Sequence, residues 1–370
     1  MGGDFFMSQT EYGLPVDADD AARPEVWRWC AAQLGGVPLR WRPVAGDASL
    51  RRYYRLVGPL TGELAGLPGV IAMDSSADGE DLGRFVRLAQ RFGAQGAPVP
   101  RVFVHDVQRG FALIEDFGDD SLLGQLRADT AAALYETALS ALLHWQRQLS
   151  GDGLPDYDSA LLRRELALFD QWLVRGYLAL TPPCGAVGGL ADVNARLIDS
   201  ALDQPRVVVH RDYHSRNLML LDAYGDDGGD GALHRRLGII DFQDAVMGPV
   251  TYDPVSLLRD CYVAWPPAWV DRWRERYFRR LRAAGVLDAA TPIERFHRWF
   301  DWMGMQRHLK AAGIFARLWL RDGRAGYLSA LPRTLGYVAE VAGRYREFHA
   351  FERWLRRDIL PALAARTPPR

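Results

Sequence analysis

HRDYHSRN at 210–217 and LGIIDFQD at 237–244 decide how this 370-residue chain is read. In the first stretch an aspartate, Asp212, is followed five residues later by an amide, Asn217; in the second, Asp241 leaves an apolar run. VVVH precedes Asp212 and LGII precedes Asp241. Both runs are short and β-rich, so each carboxylate is expected at the end of a buried strand. A carboxylate that can orient a hydroxyl and take its proton, beside an amide oxygen and a second carboxylate of the kind a hard divalent cation prefers, is the donor set of phosphoryl transfer. Asp212 is the candidate base, and Asn217 and Asp241 are the candidate Mg²⁺ ligands. His210 and Arg211 are expected to pack and brace the loop. Either stretch alone is a weak signal; the two in this order, each after an apolar run, carry the reading.

The segment between them, DAYGDDGGDGALHRR at 222–236, reads as a long solvated loop. Its Asp and Gly content invites comparison with a calcium loop, but the twelfth position counted from Asp222 is Leu233 where a bidentate glutamate is needed. After Asp241, QDAVMGPVTYDPVSLLRD runs straight into a helix and leaves no room for a regulated activation segment. Asp253 is expected to cap or anchor that helix, with Pro254 in its first turn.

Upstream, the order of elements fits a nucleotide-binding half. LRWRPVAG (39–46) and RRYYRLVG (51–58) are strand-like and joined by DASL. Gly46 permits a tight turn, and Ser49 offers a hydroxyl and an N–H at the tip. The next strand, GVIAMDSS (69–76), carries Met73 where a phosphate-binding lysine would stand. The chain has one lysine, Lys310, far downstream in a helical region. Another cation must therefore meet the nucleotide phosphates. Arg51 and Arg52 are the nearest, and arginine binds phosphate through two parallel donors. Neighbours in a strand face opposite ways, so only one of the pair can do so, with Arg51 favoured; both could instead be solvated strand charges. EDLGRFVRLAQRFGAQG (80–96) has apolar residues at helical spacing. IEDFG at 114–118 is expected at an adenine-binding hinge, where backbone groups of Glu115 and Phe117 would meet the base; the side chains of Glu115 and Asp116 read equally as turn residues.

These stretches together resemble the aminoglycoside phosphotransferase family of small-molecule kinases, over about residues 40–345, through GDAS, IEDFG, HRDYHSRN and IIDFQD. Within it, GDASLRRYYRL, VIAMD, VVVHRDYHSRNLM, IIDFQDAVMGPVTYDPVSLLRDCYV and QRHLKAAGIFARL look like the bacterial kinases of N-acetylmuramate and N-acetylglucosamine. The resemblance implies an α+β, bilobal, protein-kinase-like fold, with ATP and Mg²⁺ as cofactors and phosphorylation of a sugar's anomeric hydroxyl in peptidoglycan recycling. The expected organisation is a flexible tail over 1–22, an N-lobe over 23–118 and a mainly helical C-lobe over 119–370. The missing strand lysine departs from the wider family and matches the closer one. Two alternatives stay open: a kinase of choline, an aminoglycoside or another alcohol, and a non-catalytic nucleotide binder.

On the acceptor side, residues 252–345 are helical in pattern and aromatic. Trp265, Trp269 and Trp273 fall on one helix face, and Trp299, Phe300 and Trp302 form a second group. They read either as a sugar platform or as a tryptophan-rich core. This region holds sixteen Lys and Arg against nine Asp and Glu, which is wrong for a polycationic acceptor and suits a neutral or anionic sugar. Trp302, Arg307 and Arg259 are the candidate acceptor contacts.

Composition bounds the rest. A net charge of −1 gives no reason to expect nucleic acid or membrane partners. Three scattered cysteines, Cys30, Cys184 and Cys261, suit a reducing cytoplasm. No apolar run approaches the roughly eighteen residues of a membrane span, and the opening MGGDFFMSQTEYGLPVD lacks the charged and apolar regions of a signal peptide. A cytoplasmic monomer acting on a small sugar is expected. ARPEVWRWCAAQLGG, residues 121–149 and residues 163–180 read as helices.

Overall fold

A computed structural model describes residues 24–35, 40–44, 51–57, 60, 64, 69–77, 82–182, 188–221 and 236–366. The chain divides into two compact units, Met1–Asp120 with Leu221–Gln243, and Ser121–Leu220 with Asp244–Arg370.

The first unit is built on helix α1 (Pro24–Gln33) and strands β1 (Arg40–Val44), β2 (Arg52–Val57), β3 (Val70–Asp74), β4 (Val102–Asp106) and β5 (Phe111–Glu115). These form one antiparallel sheet in the order β1-β2-β3-β5-β4. All five residues of β3 are buried, as a central strand covered on both faces must be, and Met73 is one of them. Trp27, Trp29 and Cys30 of α1 pack on Tyr54, Leu56, Val70, Ala72, Phe111 and Leu113, with the Trp27 ring stacked on Trp41 at 3.8 Å. Helix α2 (Leu82–Ala94) follows β3, and its apolar stripe Leu82, Phe85, Val86, Leu88, Ala89 and Phe92 is buried, as the spacing predicted.

The second unit is mainly helical. The stretch 121–149 is two helices, α3 (Leu122–Gln125) and α4 (Ala131–Gln148). The break lies where the Thr130 hydroxyl accepts the Arg127 N–H at 2.9 Å and donates to the Gln125 carbonyl at 2.8 Å, the side-chain competition that takes threonine out of helix interiors. Helix α5 (Ser159–Leu168) is capped by the Asp158 carboxylate, which accepts the Leu161 N–H at 2.8 Å, and it widens into a π-helical segment over Phe169–Tyr177. Then come α6 (Leu190–Leu202), strands β6 (Arg206–Val209) and β7 (Leu218–Leu221), and, past strand β8 of the first unit (Arg236–Ile239), β9 (Val246–Pro249), α7 (Tyr252–Leu258), α8 (Pro267–Ala283), α9 (Ile293–Asp322) and α10 (Leu331–Arg344). Strands β6 and β9 pair antiparallel.

Thirty-residue α9 packs against α5, the π-helical segment, α6, α7 and α10. Close approach depends on Gly313: a Cβ there would sit 2.4 Å from the Leu168 carbonyl carbon, well inside contact distance. The helix stops at Gly323, whose φ of +69° is the left-handed ending glycine permits. The class is thus α+β, a small antiparallel sheet unit and a large helical one.

Candidate phosphoryl-transfer site

In the second unit, β6 delivers buried Val207, Val208 and Val209 to the loop that begins at His210. Two buried carboxylates from the segment after β9 hold this loop. Asp253, in the first turn of α7, accepts the His210 N–H at 2.7 Å through Oδ2 and the Arg211 N–H at 3.1 Å through Oδ1. Arg211 turns there with φ at +77°, a left-handed conformation that costs a non-glycine residue about 1–2 kcal/mol and persists only where its surroundings enforce it. Asp260 accepts the N–H and the hydroxyl of Ser215 at 2.9 and 2.5 Å, and the Tyr262 N–H at 2.9 Å. The expected capping role of Asp253 is therefore corrected. Thr251 occupies the cap position, and the Asp253 carboxylate anchors the loop instead.

Between these anchors the loop is internally bonded. Asp212 N–H donates to His210 Nδ1 at 3.2 Å, and His214 N–H to the Asp212 carbonyl at 3.0 Å. Asn217 Nδ2 donates to the same carbonyl at 3.1 Å. The structure thus brings Asp212 and Asn217 together in one loop. His210 is buried against Trp145 and Tyr213, ring centroids 5.3 and 5.8 Å away, the packing role expected of it.

The charges around Asp212 are buried as well. Arg211 Nη2 donates to Glu165 Oε1 at 2.6 Å, and Lys310 Nζ lies 3.1 Å from the same oxygen and 3.1 Å from the Tyr252 hydroxyl. Glu165 Oε2 accepts from the Tyr157 hydroxyl and, at 3.1 Å, from Gln306 Nε2. One carboxylate thus ties together α5, the loop and α9. Burial pushes the Asp212 carboxyl up, but the charges of Lys310, His214, Arg211 and Arg307 outweigh it and hold its pKa at about 2. Burial is also the main influence on Asp253; with the nearby Asp212 charge it outweighs the two N–H bonds and lifts that carboxyl to about 7.

The acceptor candidates fall in different settings. Trp302 is buried edge-on against Phe348 and Tyr345, with the Arg298 guanidinium 4.0 Å over its ring. Arg259 Nη2 is paired with Asp301 at 2.8 Å. Arg307 is buried and reaches only the Cys261 sulfur, at 3.6 Å. Trp273 is buried and stacked on Tyr135 at 4.4 Å, while half-buried Trp265 and Trp269 stack on each other at 5.5 Å.

In the first unit, Asp241 follows β8 with φ at +66°, and its Oδ1 accepts from Gln243 Nε2 at 2.8 Å. Phe242 is buried against Phe85 and Phe92 of α2, at 5.2 and 6.1 Å. Gly238 of β8 lies against the Phe117 ring, which a Cβ would approach to 2.5 Å. Glu115 N–H donates to the Arg101 carbonyl at 2.9 Å, and its carboxylate accepts the Arg101 N–H at 3.1 Å. Phe117 N–H makes no hydrogen bond among the described residues. Asp116 accepts the Gly118 N–H at 2.9 Å, the turn role read as one option for it, and is also the partner of buried Arg55: Arg55 Nη2 donates to Oδ1 at 2.8 Å and Nε to Oδ2, while Nη1 reaches Asp119 at 2.6 Å. Arg51 is buried, its guanidinium 6.0 Å from the Phe85 ring. Arg52 is half-exposed in β2, opposite Asp74. Gly46, Ser49, Cys184 and the loop over 222–235 lie outside the described residues.

Known proteins place the chain in a family. Residues 40–289 match the phosphotransferase enzyme family. The chain is 40% identical over 345 residues to the N-acetylmuramate/N-acetylglucosamine kinase of Pseudomonas putida, covering 93% of this chain and 94% of that one. It is 36% identical over 307 residues to the kinase of the same name from Neisseria meningitidis, covering 82% and 86%. Among solved structures it is similar in fold to a choline kinase of Streptococcus pneumoniae, with a TM-score of 0.58 at 12% identity over 85% of this chain and 98% of that one.

Proposed function

Because the chain belongs to the phosphotransferase enzyme family, we propose that it is an ATP-dependent kinase of N-acetylmuramate and N-acetylglucosamine. It phosphorylates the anomeric hydroxyl to the sugar 1-phosphate in the cytoplasmic recycling of cell-wall sugars. The observation that carries the reading is the loop from His210 to Asn217, pinned by Asp253 and Asp260 with an ionised Asp212 at its centre.

Asp212 orients the acceptor hydroxyl and takes its proton as the new oxygen–phosphorus bond forms and the bond from the γ-phosphorus to ADP breaks. An aspartate held ionised across the neutral range is a weak base, suited to a transition state that calls for positioning more than for early proton removal. Asn217 and Asp241 supply one amide oxygen and one carboxylate. An amide oxygen and a carboxylate are donors of the kind a Mg²⁺ would take beside phosphate oxygens and water. When bound there, the ion neutralises triphosphate charge. Glu115 spends its N–H on Arg101, so its carbonyl and the Phe117 N–H are the backbone groups offered to the base. Arg51, with Arg52 as its alternate, takes the role of the absent strand lysine.

The test is ATP consumption with N-acetylmuramate, N-acetylglucosamine, choline and kanamycin as acceptors. Turnover with the two acetylated sugars is expected. Turnover confined to choline or kanamycin, or Mg·ATP binding with no turnover of any acceptor, would overturn the reading.

A further inference from the structure

Three cations act on Asp212, Lys310 and Arg307 buried and Arg211 half-buried, and two of them share a counterion. Arg211 and Lys310 both rest on Glu165, at 2.6 and 3.1 Å. Arg307 does not. Its side chain is buried, with 5% of the residue exposed, and no carboxylate lies within ion-pair distance among the described residues. Its Nη1 reaches the Cys261 sulfur at 3.6 Å, and its Nε has no partner. That sulfur is no counterion, because burial pushes the Cys261 thiol up and keeps it neutral.

The residues beside Arg307 on α9 are engaged. Gln306 donates to Glu165, and His308 Nε2 sits 2.8 Å from the Arg259 carbonyl. Arg259, the other acceptor-side arginine, is neutralised by Asp301 at 2.8 Å and lies against the Phe300 ring. A guanidinium stays charged at any working pH, and burying it without a matching anion costs several kcal/mol. Such a group fits an anion that arrives with a ligand. The neighbour of Arg307 on α9, Gln306, meets Glu165, which also holds Arg211 next to Asp212 in the chain, and Arg307 Nη1 itself reaches Cys261, next to the Asp260 that clamps Ser215; the guanidinium thus sits on the stretch of α9 that faces the loop.

The two proposed acceptors differ in one respect that matters here. N-acetylmuramate is N-acetylglucosamine carrying a lactyl ether, and the ether ends in a carboxylate. We propose that Arg307 is the receptor for the carboxylate of an acidic acceptor sugar and sets the preference for N-acetylmuramate over N-acetylglucosamine. This rests on the amino-sugar kinase reading of the same site. A planar guanidinium with an unengaged Nε presents the paired donors that carboxylates take best.

The experiment measures kcat and KM for both sugars with the wild-type chain, Arg307→Gln and Arg307→Lys, and for the methyl ester of N-acetylmuramate with the wild type. A hydrogen-bonded charge pair is worth about 1.5–3 kcal/mol, or roughly ten- to hundredfold in affinity. Arg307→Gln is therefore expected to lower the N-acetylmuramate to N-acetylglucosamine ratio of kcat/KM by about ten- to hundredfold, chiefly through KM, with Arg307→Lys recovering part of it. The ester with wild-type enzyme should show a KM raised by a similar factor. An Arg307→Gln chain that loses both sugars in equal proportion overturns the proposal, because a guanidinium serving Asp212 or the core alone would act on both alike. Wild-type enzyme that uses the ester as well as the acid overturns it too, and that measurement stands even where the variants fail to fold. Wild-type enzyme inactive on both sugars removes the kinase reading itself, and the proposal with it.

Discussion

Replacing Glu165 by glutamine removes one negative charge from a site where two cations depend on it. The Glu165 oxygens accept from Arg211, Lys310, Gln306 and Tyr157, and the pair Arg211–Glu165 is largely out of water, with side-chain exposures of 18% and 6%. Breaking a buried ion pair by deleting one partner costs about 3–5 kcal/mol, since the other charge is left without compensation. Here two cations lose their anion, so the upper part of that range is expected. For a unit of this size each kcal/mol moves the midpoint by about 2–4 °C, which places the fall in Tm of Glu165→Gln on the order of 10 °C or more by calorimetry. Adding Lys310→Met should recover part of the loss, because the double variant no longer buries the ammonium without a counterion; a coupling of about 1–3 kcal/mol is expected from the cycle. A single variant that melts within about 2 °C of wild type, or a double variant whose loss is the plain sum of the two, would refute the view of Glu165 as the shared counterion.

Three further outcomes are expected. Asp212→Asn should lower kcat by about 10²–10⁴ while ATP binding measured by calorimetry stays within about twofold; wild-type turnover would remove Asp212 from the role of base. Asp253 should make the protein less stable as pH rises from acid to neutral. Its folded carboxyl titrates at about 7, above the unfolded value of about 3.9, so its proton-linked stabilisation is full below the unfolded value and is lost as pH rises through 7. Urea midpoints between pH 5 and 9 should show that loss in wild type and lack it in Asp253→Asn, and parallel curves would contradict it. Gly313→Ala should destabilise by at least about 1–3 kcal/mol, because the new methyl meets backbone at Leu168 that has no rotamer to change; an unchanged denaturant midpoint would show that α9 can shift at no cost.

The parts of the site that were legible in sequence are those whose chemistry is local. Asp212 and Asn217 share one loop after one buried strand, and Asp241 ends another, so spacing and apolar runs suffice to find them. What holds them is distant in sequence. Asp253 reaches residues 210 and 211, Asp260 reaches 215, and Glu165 meets Lys310; no periodicity records such pairings. The only hint was that the chain's one lysine stood in a helix otherwise rich in buried residues. The turn bond of Asp116 to Gly118 is local and was legible, but its pairing with Arg55, sixty-one residues away, was not. Helical spacing placed Trp265, Trp269 and Trp273 on one face but could not say what that face meets, and the answer differs along it: Trp273 is core, whereas Trp265 and Trp269 keep part of their surface. The 121–149 stretch read as helices, but the point where one gives way to the next is set by the hydrogen bonds of Thr130, which a count of apolar positions does not show.

No helix among the described residues is long and apolar enough to cross a membrane, and all but one of the chain's 45 Lys and Arg side chains are arginines, the single lysine being buried. Lys310 is 7% exposed, and Glu165 holds it in the charged form that does not react. An amine-directed dye added to the folded chain should therefore mark an amino terminus and nothing else, and the appearance of a second label at Lys310 would clock the opening of the larger unit one molecule at a time. The position that stabilises the fold is thus also its built-in gauge, readable by mass spectrometry without altering the sequence.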